Sequence, residues 1–260
     1  MKFVILAGGY GSRLNPATLA SNKHLLPVYS RRLDKAVPMI FFPIDTAKRS
    51  GVTDILIITS RDHCGQMVQT LGDGHDLGVK ISYAIQEMDR KPTGIAQALK
   101  LAQPFICDEP FAVCLGDNFY QDSFDKEVKD FKDNYKNGLV TSSIFLKEVH
   151  DPERFGVAKV EQEKINSNGV EVLSISEIIE KPENPPSNWA VTGLYFYTPH
   201  VFSLLPDLKP SRRGEIEITD VNNWYVKNKI MNAYVLNGFW HDMGTPEGVL
   251  SVTDFLDGVS

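Results

Sequence analysis

The feature that most constrains this chain is an apolar strand pattern that runs directly into a glycine-rich turn. Residues 2–6 (KFVIL) are apolar and partly β-branched, and residues 8–11 (GGYG) follow almost at once. Similar apolar runs at 54–59 and 110–115 alternate with helical patterns through the first half. This alternation predicts a mostly parallel sheet with right-handed crossovers. Because the apolar runs are continuous, we expect helices on both faces of the sheet.

The remaining patterns complete an α/β fold. We predict further strands at 80–86, 139–146, 156–161, 172–179, 190–197 and 231–236, and helices at 38–49, 62–71, 94–102, 199–205, 216–228 and from about 245. The stretch at 182–188 (PENPPSN) is linker-like, but no domain boundary is evident. A chain of 260 residues can bury one large core. We therefore expect a single domain, 1–260, built on a Rossmann-like, mostly parallel mixed sheet flanked by helices.

Charge and cysteine content exclude several classes of function. The net charge is −6, whereas a broad nucleic-acid surface needs a basic excess. The three cysteines form no CxxC pair, so neither a disulfide framework nor a zinc site is predicted, and we expect three small buried side chains. The apolar run at 2–6 is too short for a signal peptide or a membrane span. We expect a cytoplasmic protein without nucleic-acid or membrane partners.

The glycine turn has the chemistry of a phosphate site. Glycines let the backbone approach a ligand and direct N–H groups at phosphate oxygens. Arg13 adds a forked cation, and the segment 22–28 (NKHLLPV) supplies a second one, Lys23. The turn lacks both the G-x-G-x-x-G spacing of dinucleotide-binding folds and the Lys-Ser/Thr of a P-loop. By itself it fits a structural role as well as phosphate binding.

Four polar residues at predicted strand ends are candidates for ligand contacts. Asp117 and Asp242 come from distant parts of the chain and could meet on one Mg²⁺, although an Asp beside Gly is commonly a turn former or cap. The Gln86 amide could pair with thymine or uracil, or remain a polar loop residue. Lys181 precedes the proline-rich stretch and could equally be a solvated charge.

Together these segments resemble the signature of the sugar-phosphate nucleotidyltransferases. The matching motifs are GGYGSRL (8–14), KHLLPV (23–28), PMI (38–40), GIAQA (94–98), LGDN (115–118), RFGV (154–157), EKP (180–182), AVTGLY (190–195), RGEIEITD (213–220) and WHDMGT (240–245). The agreement is ordered and covers nearly the whole chain. It is closest to the glucose-1-phosphate thymidylyltransferases in their short form.

The resemblance implies a fold, a reaction and a set of site residues. It adds a sugar-binding subregion to the predicted sheet. It implies transfer of a nucleotidyl group from a nucleoside triphosphate, dTTP, to a hexose 1-phosphate, glucose 1-phosphate, with release of pyrophosphate. The implied catalytic residues are Arg13, Lys23, Asp117, Lys181 and Asp242, of which Asp117 and Asp242 would hold the Mg²⁺ cofactor. The implied nucleotide-binding residues are Leu6, Gly8, Gly9, Gly11, Ser12, Arg13, Gln86, Gly94 and Asp117, and the sugar-phosphate-binding residues are Asn118, Gly156, Glu180, Lys181, Val191 and Thr192.

The sequence leaves several alternative functions open. A UTP- or CTP-using relative would carry similar motifs, because pocket shape distinguishes the base and the 2′-hydroxyl. A non-catalytic nucleotide-sugar sensor on the same fold is disfavoured, because all five implied charged residues are present. An NAD-dependent oxidoreductase is disfavoured by the missing glycine spacing. The resemblance also implies a homo-oligomer, either a tetramer or a dimer.

The chain departs from the family pattern near the glycine turn. Tyr10 stands where the family usually has a small residue, His24 takes a position often held by Gln, and Val37 replaces a lysine. Residues 29–37 are several residues longer than the usual connection and carry three basic side chains. We expect this insertion to be either a solvated surface loop or a lid that closes over the triphosphate.

Overall fold

The computed structural model describes residues 1–32, 34–87, 93–138, 142–165, 171–211 and 214–259. Its strands are β1 (Lys2–Ala7), β2 (Pro27–Ser30), β3 (Lys35–Pro38), β4 (Asp54–Ser60), β5 (Lys80–Gln86), β6 (Phe111–Leu115), β7 (Asn118–Tyr120), β8 (Ser142–Glu148), β9 (Gly156–Ile165), β10 (Glu171–Glu180), β11 (Trp189–Tyr197), β12 (Met231–Val235) and β13 (Trp240–Asp242). Its α-helices are α1 (Phe41–Arg49), α2 (Cys64–Leu71), α3 (Ile95–Leu99), α4 (Gln103–Ile106), α5 (Asp125–Lys136), α6 (Val201–Leu204), α7 (Ile218–Lys227) and α8 (Pro246–Asp257).

One mixed sheet runs through both halves of the chain, in the order β5-β4-β1-β6-β11-β8-β12-β10-β9. The four strands from β5 to β6 are mutually parallel. Beyond β6 the pairing is antiparallel except between β8 and β12. Helical crossovers produce the parallel half, whereas a short connection from β9 to β10 allows antiparallel pairing. The predicted mixed α/β sheet is confirmed, and its parallel pairing is concentrated in the first half.

Apolar clusters cover both faces of the sheet. Along β1, Val4 and Leu6 belong to one cluster, while Phe3 and Ile5 belong to the other. This alternation is the two-residue period of a strand buried on both sides. It explains why the sequence at the amino terminus is continuously apolar.

The structure corrects the sequence-based elements at several places. The predicted helix 38–49 begins only at Phe41, because Pro38 closes the strand β3. Helix α5 and the short strands β7 and β13 were not predicted as elements. In α5 only two apolar side chains, Val128 and Phe131, are buried, and charged residues dominate the rest of the segment, so it has few of the apolar positions by which a helix is found from sequence. The expectation of three buried cysteines holds only for Cys114, because Cys64 is partly exposed and Cys107 is exposed. Within the described residues, no helix is both long and apolar enough to cross a membrane.

Helix α8 packs so closely on β13 that one of its positions has room only for glycine. A Cβ added at Gly248 would overlap the backbone carbonyl oxygen of Asp242. We predict that Gly248→Ala lowers the free energy of unfolding by about 1–3 kcal/mol, the usual cost of overpacking. Gly65→Ala is the matched control, since an added Cβ in α2 meets nothing within 4 Å and removes glycine's entropic cost. Urea unfolding measures both, and equal effects would contradict the prediction.

Candidate active site

An open pocket of about 390 Å³ lies where several strands of the sheet end. Its volume is within the range of small-molecule sites, and ligands of open α/β sheets bind beyond the carboxyl ends of the parallel strands. Most of the predicted site residues line it: Leu6, Gly8, Gly9, Arg13, Lys23, Gln86, Gly94, Asp117, Asn118, Gly156, Glu180, Lys181, Val191, Thr192 and Asp242. The structure therefore brings together side chains that are more than 200 positions apart in the sequence.

Two predicted nucleotide contacts, Gly11 and Ser12, are not part of the pocket lining. Gly11 has a φ of 67°, and a Cβ there would lie 2.7 Å from the Cβ of Lys23 and 3.0 Å from a methyl group of Thr18. Glycine at this position allows the Lys23 segment to pack against the turn. Ser12 is exposed and begins a single turn of 3₁₀ helix over Ser12–Leu14.

The carboxylates of Asp117 and Asp242 are brought together by a two-stranded ribbon of β7 and β13. In this ribbon Asn118 pairs with Asp242, and the N–H of Met243 donates to the carbonyl oxygen of Asp117 at 2.8 Å. Gly244 follows, and a Cβ there would lie 2.9 Å from Asp242 Oδ1 and 3.3 Å from Asp117 Oδ2. The glycine leaves space in which the two carboxylates can face each other.

Two cations balance this pair. Lys23 Nζ forms an ion pair with Asp117 Oδ2, and Arg13 Nη2 lies 4.0 Å from Asp242 Oδ2. Burial alone would raise the pKa of Asp117, but the charge of Lys23, its hydrogen bond and a backbone hydrogen bond together hold that pKa well below its usual range. Burial raises the pKa of Asp242, and the charge of Asp117 raises it further. Because two carboxylates lie side by side in this buried place, the binding of an added cation beside them would be favourable.

The donor set suits a hard divalent ion. Mg²⁺ prefers oxygen ligands and is usually held by one or two carboxylates together with substrate phosphates. Asp117 and Asp242 provide two carboxylates, and the part of the chain that the structure describes contains no group of three or more His, Cys, Asp or Glu side chains suited to a metal. The site therefore fits a metal that completes its coordination with a ligand's oxygens.

His24 lies under the pocket as a neutral side chain. Its Nδ1 is 2.7 Å from Asn22 Oδ1, while Asn22 Nδ2 donates to the carbonyl oxygen of Ala7 at 3.1 Å. Since the amide oxygen only accepts, Nδ1 carries the ring proton. Burial lowers the pKa of His24 to about 3, with a contribution from the Lys23 ammonium.

The other end of the pocket is formed by β9, β10 and α7. Glu180 Oε2 accepts a hydrogen bond from Thr219 Oγ1 at 2.6 Å, and a Cβ at Gly156 would lie only 3.4 Å from the same oxygen. Lys181 is exposed, has a φ of 43°, and donates its N–H to the carbonyl oxygen of Phe155 at 2.9 Å. This backbone contact directs the chain from β10 past the mouth of the pocket.

Val191 and Thr192 line the same end, but the Thr192 hydroxyl is committed to the fold. It donates to the carbonyl oxygen of Phe145 at 3.0 Å, and the carbonyl oxygen of Thr192 accepts from Tyr120 Oη at 2.6 Å. Both contacts are buried. Thr192 therefore shapes the pocket chiefly through its position in β11.

Several lining residues were not predicted as site residues. They are His24, Thr93, Ile95, Ala98, Leu115, Arg154, Phe155, Gly193, Tyr195, Glu215, Glu217, Ile218, Thr219 and Trp240. Most lie inside the matched motifs, so the motifs already indicated their neighbourhood. Thr93 carried no such signal, because it reaches the pocket through a parallel bridge to Glu215. Arg213, in the same motif as Glu215, lies outside the described residues.

The insertion at 29–37 belongs to a β-hairpin rather than an irregular loop. Strands β2 and β3 pair from Pro27–Pro38 to Ser30–Lys35. Ser30 Oγ and the Arg32 N–H both donate to Asp257 Oδ1 on α8, at 2.7 and 3.1 Å. None of its described residues lines the pocket. The hairpin is therefore fastened to α8, and its closing over the triphosphate stays a prediction.

The chain is similar to known proteins over nearly its whole length. Residues 2–258 match the model of the Nucleotidyl transferase family. The chain belongs to this family. It is 39% identical to the glucose-1-phosphate thymidylyltransferase of Neisseria meningitidis, over all of this chain and 83% of that protein. The predicted family is therefore confirmed.

Solved structures agree with the fold. A Bacillus anthracis protein described as a "putative glucose-1-phosphate thymidylyltransferase", in complex with a sucrose, is 42% identical with a TM-score of 0.85, covering 100% of this nucleotidyltransferase and 96% of that chain. A UDP-glucose pyrophosphorylase complexed with UDP-glucose is 28% identical with a TM-score of 0.78, covering 98% and 97%. Nucleotidyltransferases of this kind generally use a divalent metal.

The buried neutral His24 predicts a specific loss of stability in acid. An unfolded histidine titrates near 6.5, whereas folded His24 titrates at about 3. Between these values only the unfolded chain binds the proton, so stability falls as the pH falls. Between pH 7 and pH 5 the wild-type protein should lose roughly 2 kcal/mol more unfolding free energy than His24→Gln. Denaturant unfolding at both pH values measures this difference, and His75→Gln, at an exposed histidine, is the control. Equal losses of unfolding free energy in the wild type and in His24→Gln would contradict the prediction.

Proposed function

We propose that this nucleotidyltransferase transfers the thymidylyl group of dTTP to glucose 1-phosphate, giving dTDP-glucose and pyrophosphate. The observation that carries this proposal is the distribution of charge in one pocket. Arg13 and Lys23 stand at the glycine turn, Lys181 stands at the opposite end, and the carboxylates of Asp117 and Asp242 lie beside the first two. Such a pocket suits two phosphate-bearing substrates and a divalent metal.

The choice of substrates is supported by the relatives. The Neisseria protein matches the whole chain and is named a glucose-1-phosphate thymidylyltransferase. The UDP-glucose pyrophosphorylase is more distant, at 28% identity. Gln86 lines the pocket at the end of β5, where its amide could donate to and accept from the thymine edge. Because uracil has the same edge, the relatives favour dTTP over UTP more than Gln86 does.

The mechanism follows from positioning and charge. An oxygen of the sugar phosphate attacks the α-phosphorus of dTTP in line, and pyrophosphate leaves. The attacking phosphate monoester is largely ionised near neutral pH, so no general base is needed. Arg13 is proposed to neutralise the leaving pyrophosphate, Lys23 the α-phosphate, and Lys181 the attacking phosphate. Holding both substrates in line supplies most of the remaining advantage.

Mg²⁺ is the proposed cofactor, held by Asp117 and Asp242. When bound, it would neutralise charge on the phosphate oxygens during transfer. Lys23 pairs with an oxygen of Asp117, and its ammonium would also interact with a phosphate of the bound substrate. We also propose that residues 1–260 form a single domain and that the protein is a cytoplasmic homo-oligomer. The sheet that runs through both halves supports the single domain.

A substrate panel tests the reaction. Each of dTTP, UTP, CTP, ATP and GTP is combined with glucose, galactose or mannose 1-phosphate in the presence of Mg²⁺, and pyrophosphate release is measured. We expect dTTP with glucose 1-phosphate to give the highest kcat/KM. A higher kcat/KM with UTP or CTP would correct the nucleotide assignment. Absence of pyrophosphate release with every pair would overturn the proposed reaction.

The metal assignment predicts the effect of two conservative substitutions. Asp117→Asn and Asp242→Asn should each lower kcat by about 10²-fold or more, because transition-state charge loses its stabilisation. Asp254→Asn, an exposed carboxylate on α8, is the control for charge removal. Steady-state kinetics at saturating Mg²⁺ is the measurement. Near-native turnover in either active-site variant would show that the two residues do not share a metal.

A further inference from the structure

The ribbon of β7 and β13 presents one polar face to the pocket. Its register pairs Asn118 with Asp242 and Tyr120 with Trp240. Because side chains alternate along a strand, these four residues share a face. Phe119 lies on the other face, within the apolar cluster beneath α8. The face with Asn118 and Trp240 is the one that lines the pocket.

The Trp240 indole determines how the Asn118 amide is oriented. Trp240 Nε1 lies 2.7 Å from Asn118 Oδ1, and both residues are buried. An indole N–H can only donate, so the amide atom beside it must be the oxygen. The amide nitrogen of Asn118 then points the other way and donates to Asp117 Oδ1 at 3.3 Å.

Both neighbours select the same orientation. A flipped amide would place its N–H₂ group against the indole N–H and its oxygen against the carboxylate of Asp117. The first contact joins two donors and the second joins two acceptors, so each would leave buried polar groups unsatisfied. Trp240 is itself held by an edge contact with Phe155, whose ring centroid is 5.3 Å away.

We propose that Trp240 is a positioning residue that makes Asn118 a hydrogen-bond donor to the sugar phosphate. The amide oxygen is engaged by the indole and one amide N–H is directed at Asp117, which leaves the second N–H for a ligand. That N–H selects an acceptor, such as a phosphate or hydroxyl oxygen of the hexose 1-phosphate. This inference rests on the proposed function for its ligand, but its geometry belongs to the protein alone.

Steady-state kinetics separates positioning from general support of the fold. Trp240→Phe keeps an aromatic ring beside Phe155 but removes the indole N–H that donates to Asn118. We expect the KM for glucose 1-phosphate to rise about 10-fold, as for loss of a hydrogen bond that orders a buried polar group, while the KM for dTTP changes less than about 2-fold. Trp224→Phe, an exposed tryptophan on α7, is the matched control. Equal rises in both KM values, or a fall in kcat alone, would overturn the positioning role.

A second measurement does not depend on activity or on a stable Trp240 variant. The chain has three tryptophans, so a ¹H–¹⁵N spectrum should contain three indole signals. Asn118→Ala should move the Trp240 indole proton upfield and leave the signals of Trp189 and Trp224 in place. An unmoved Trp240 signal would overturn the inference. If the wild-type protein fails with every substrate pair, the proposed function falls, while the indole signal still decides whether Trp240 orients Asn118.

Discussion

The largely buried ion pair between Lys23 and Asp117 is the interaction on which the rest of the site depends. It joins the segment after the glycine turn to the loop between β6 and β7. A buried charge is tolerated only when it is paired. Removing one partner leaves the other charge buried and unpaired, which costs more stability than replacing both residues with apolar ones. Gly9 and Gly11 allow the lysine to approach, since a Cβ at Gly9 would lie 3.3 Å from Lys23 Cε and the added Cβ at Gly11 would lie closer still to Lys23 Cβ.

The sequence predicted most of the scaffold because the strands obey simple local rules. Strand β5 has the predicted bounds, and β1 and β4 differ by one residue at their ends. The ordered motifs predicted the site residues, and nearly all of these residues line one pocket. Local pattern failed where tertiary contacts decide the structure. The hairpin of β2 and β3 is fastened by Asp257, which is more than 200 residues away.

The details of the site were less accessible from sequence for the same reason. Thr192 was predicted as a ligand contact by its motif, but its hydroxyl is engaged by Phe145, a residue of the neighbouring strand. Trp240 stood in a matched motif without an assigned role, because only the ribbon register places its indole beside Asn118. The net charge of −6 also gave no sign of a phosphate site. A few focused cations determine the local potential, and the overall charge does not.

Helix α8 contacts strand β13 of the active site near its start and the β2–β3 hairpin at its end. Gly248 near its start packs on the backbone of Asp242, and Asp257 at its end accepts from Ser30 and Arg32 of the hairpin. In a relative whose connection between the lysine segment and α1 were too short for this hairpin, a carboxylate at the position of Asp257 would have no hairpin to hold. We therefore expect selection on the residue at this position to depend on the presence of the hairpin. Across the family, the length of that connection and the identity of the last residue of this helix should have evolved together.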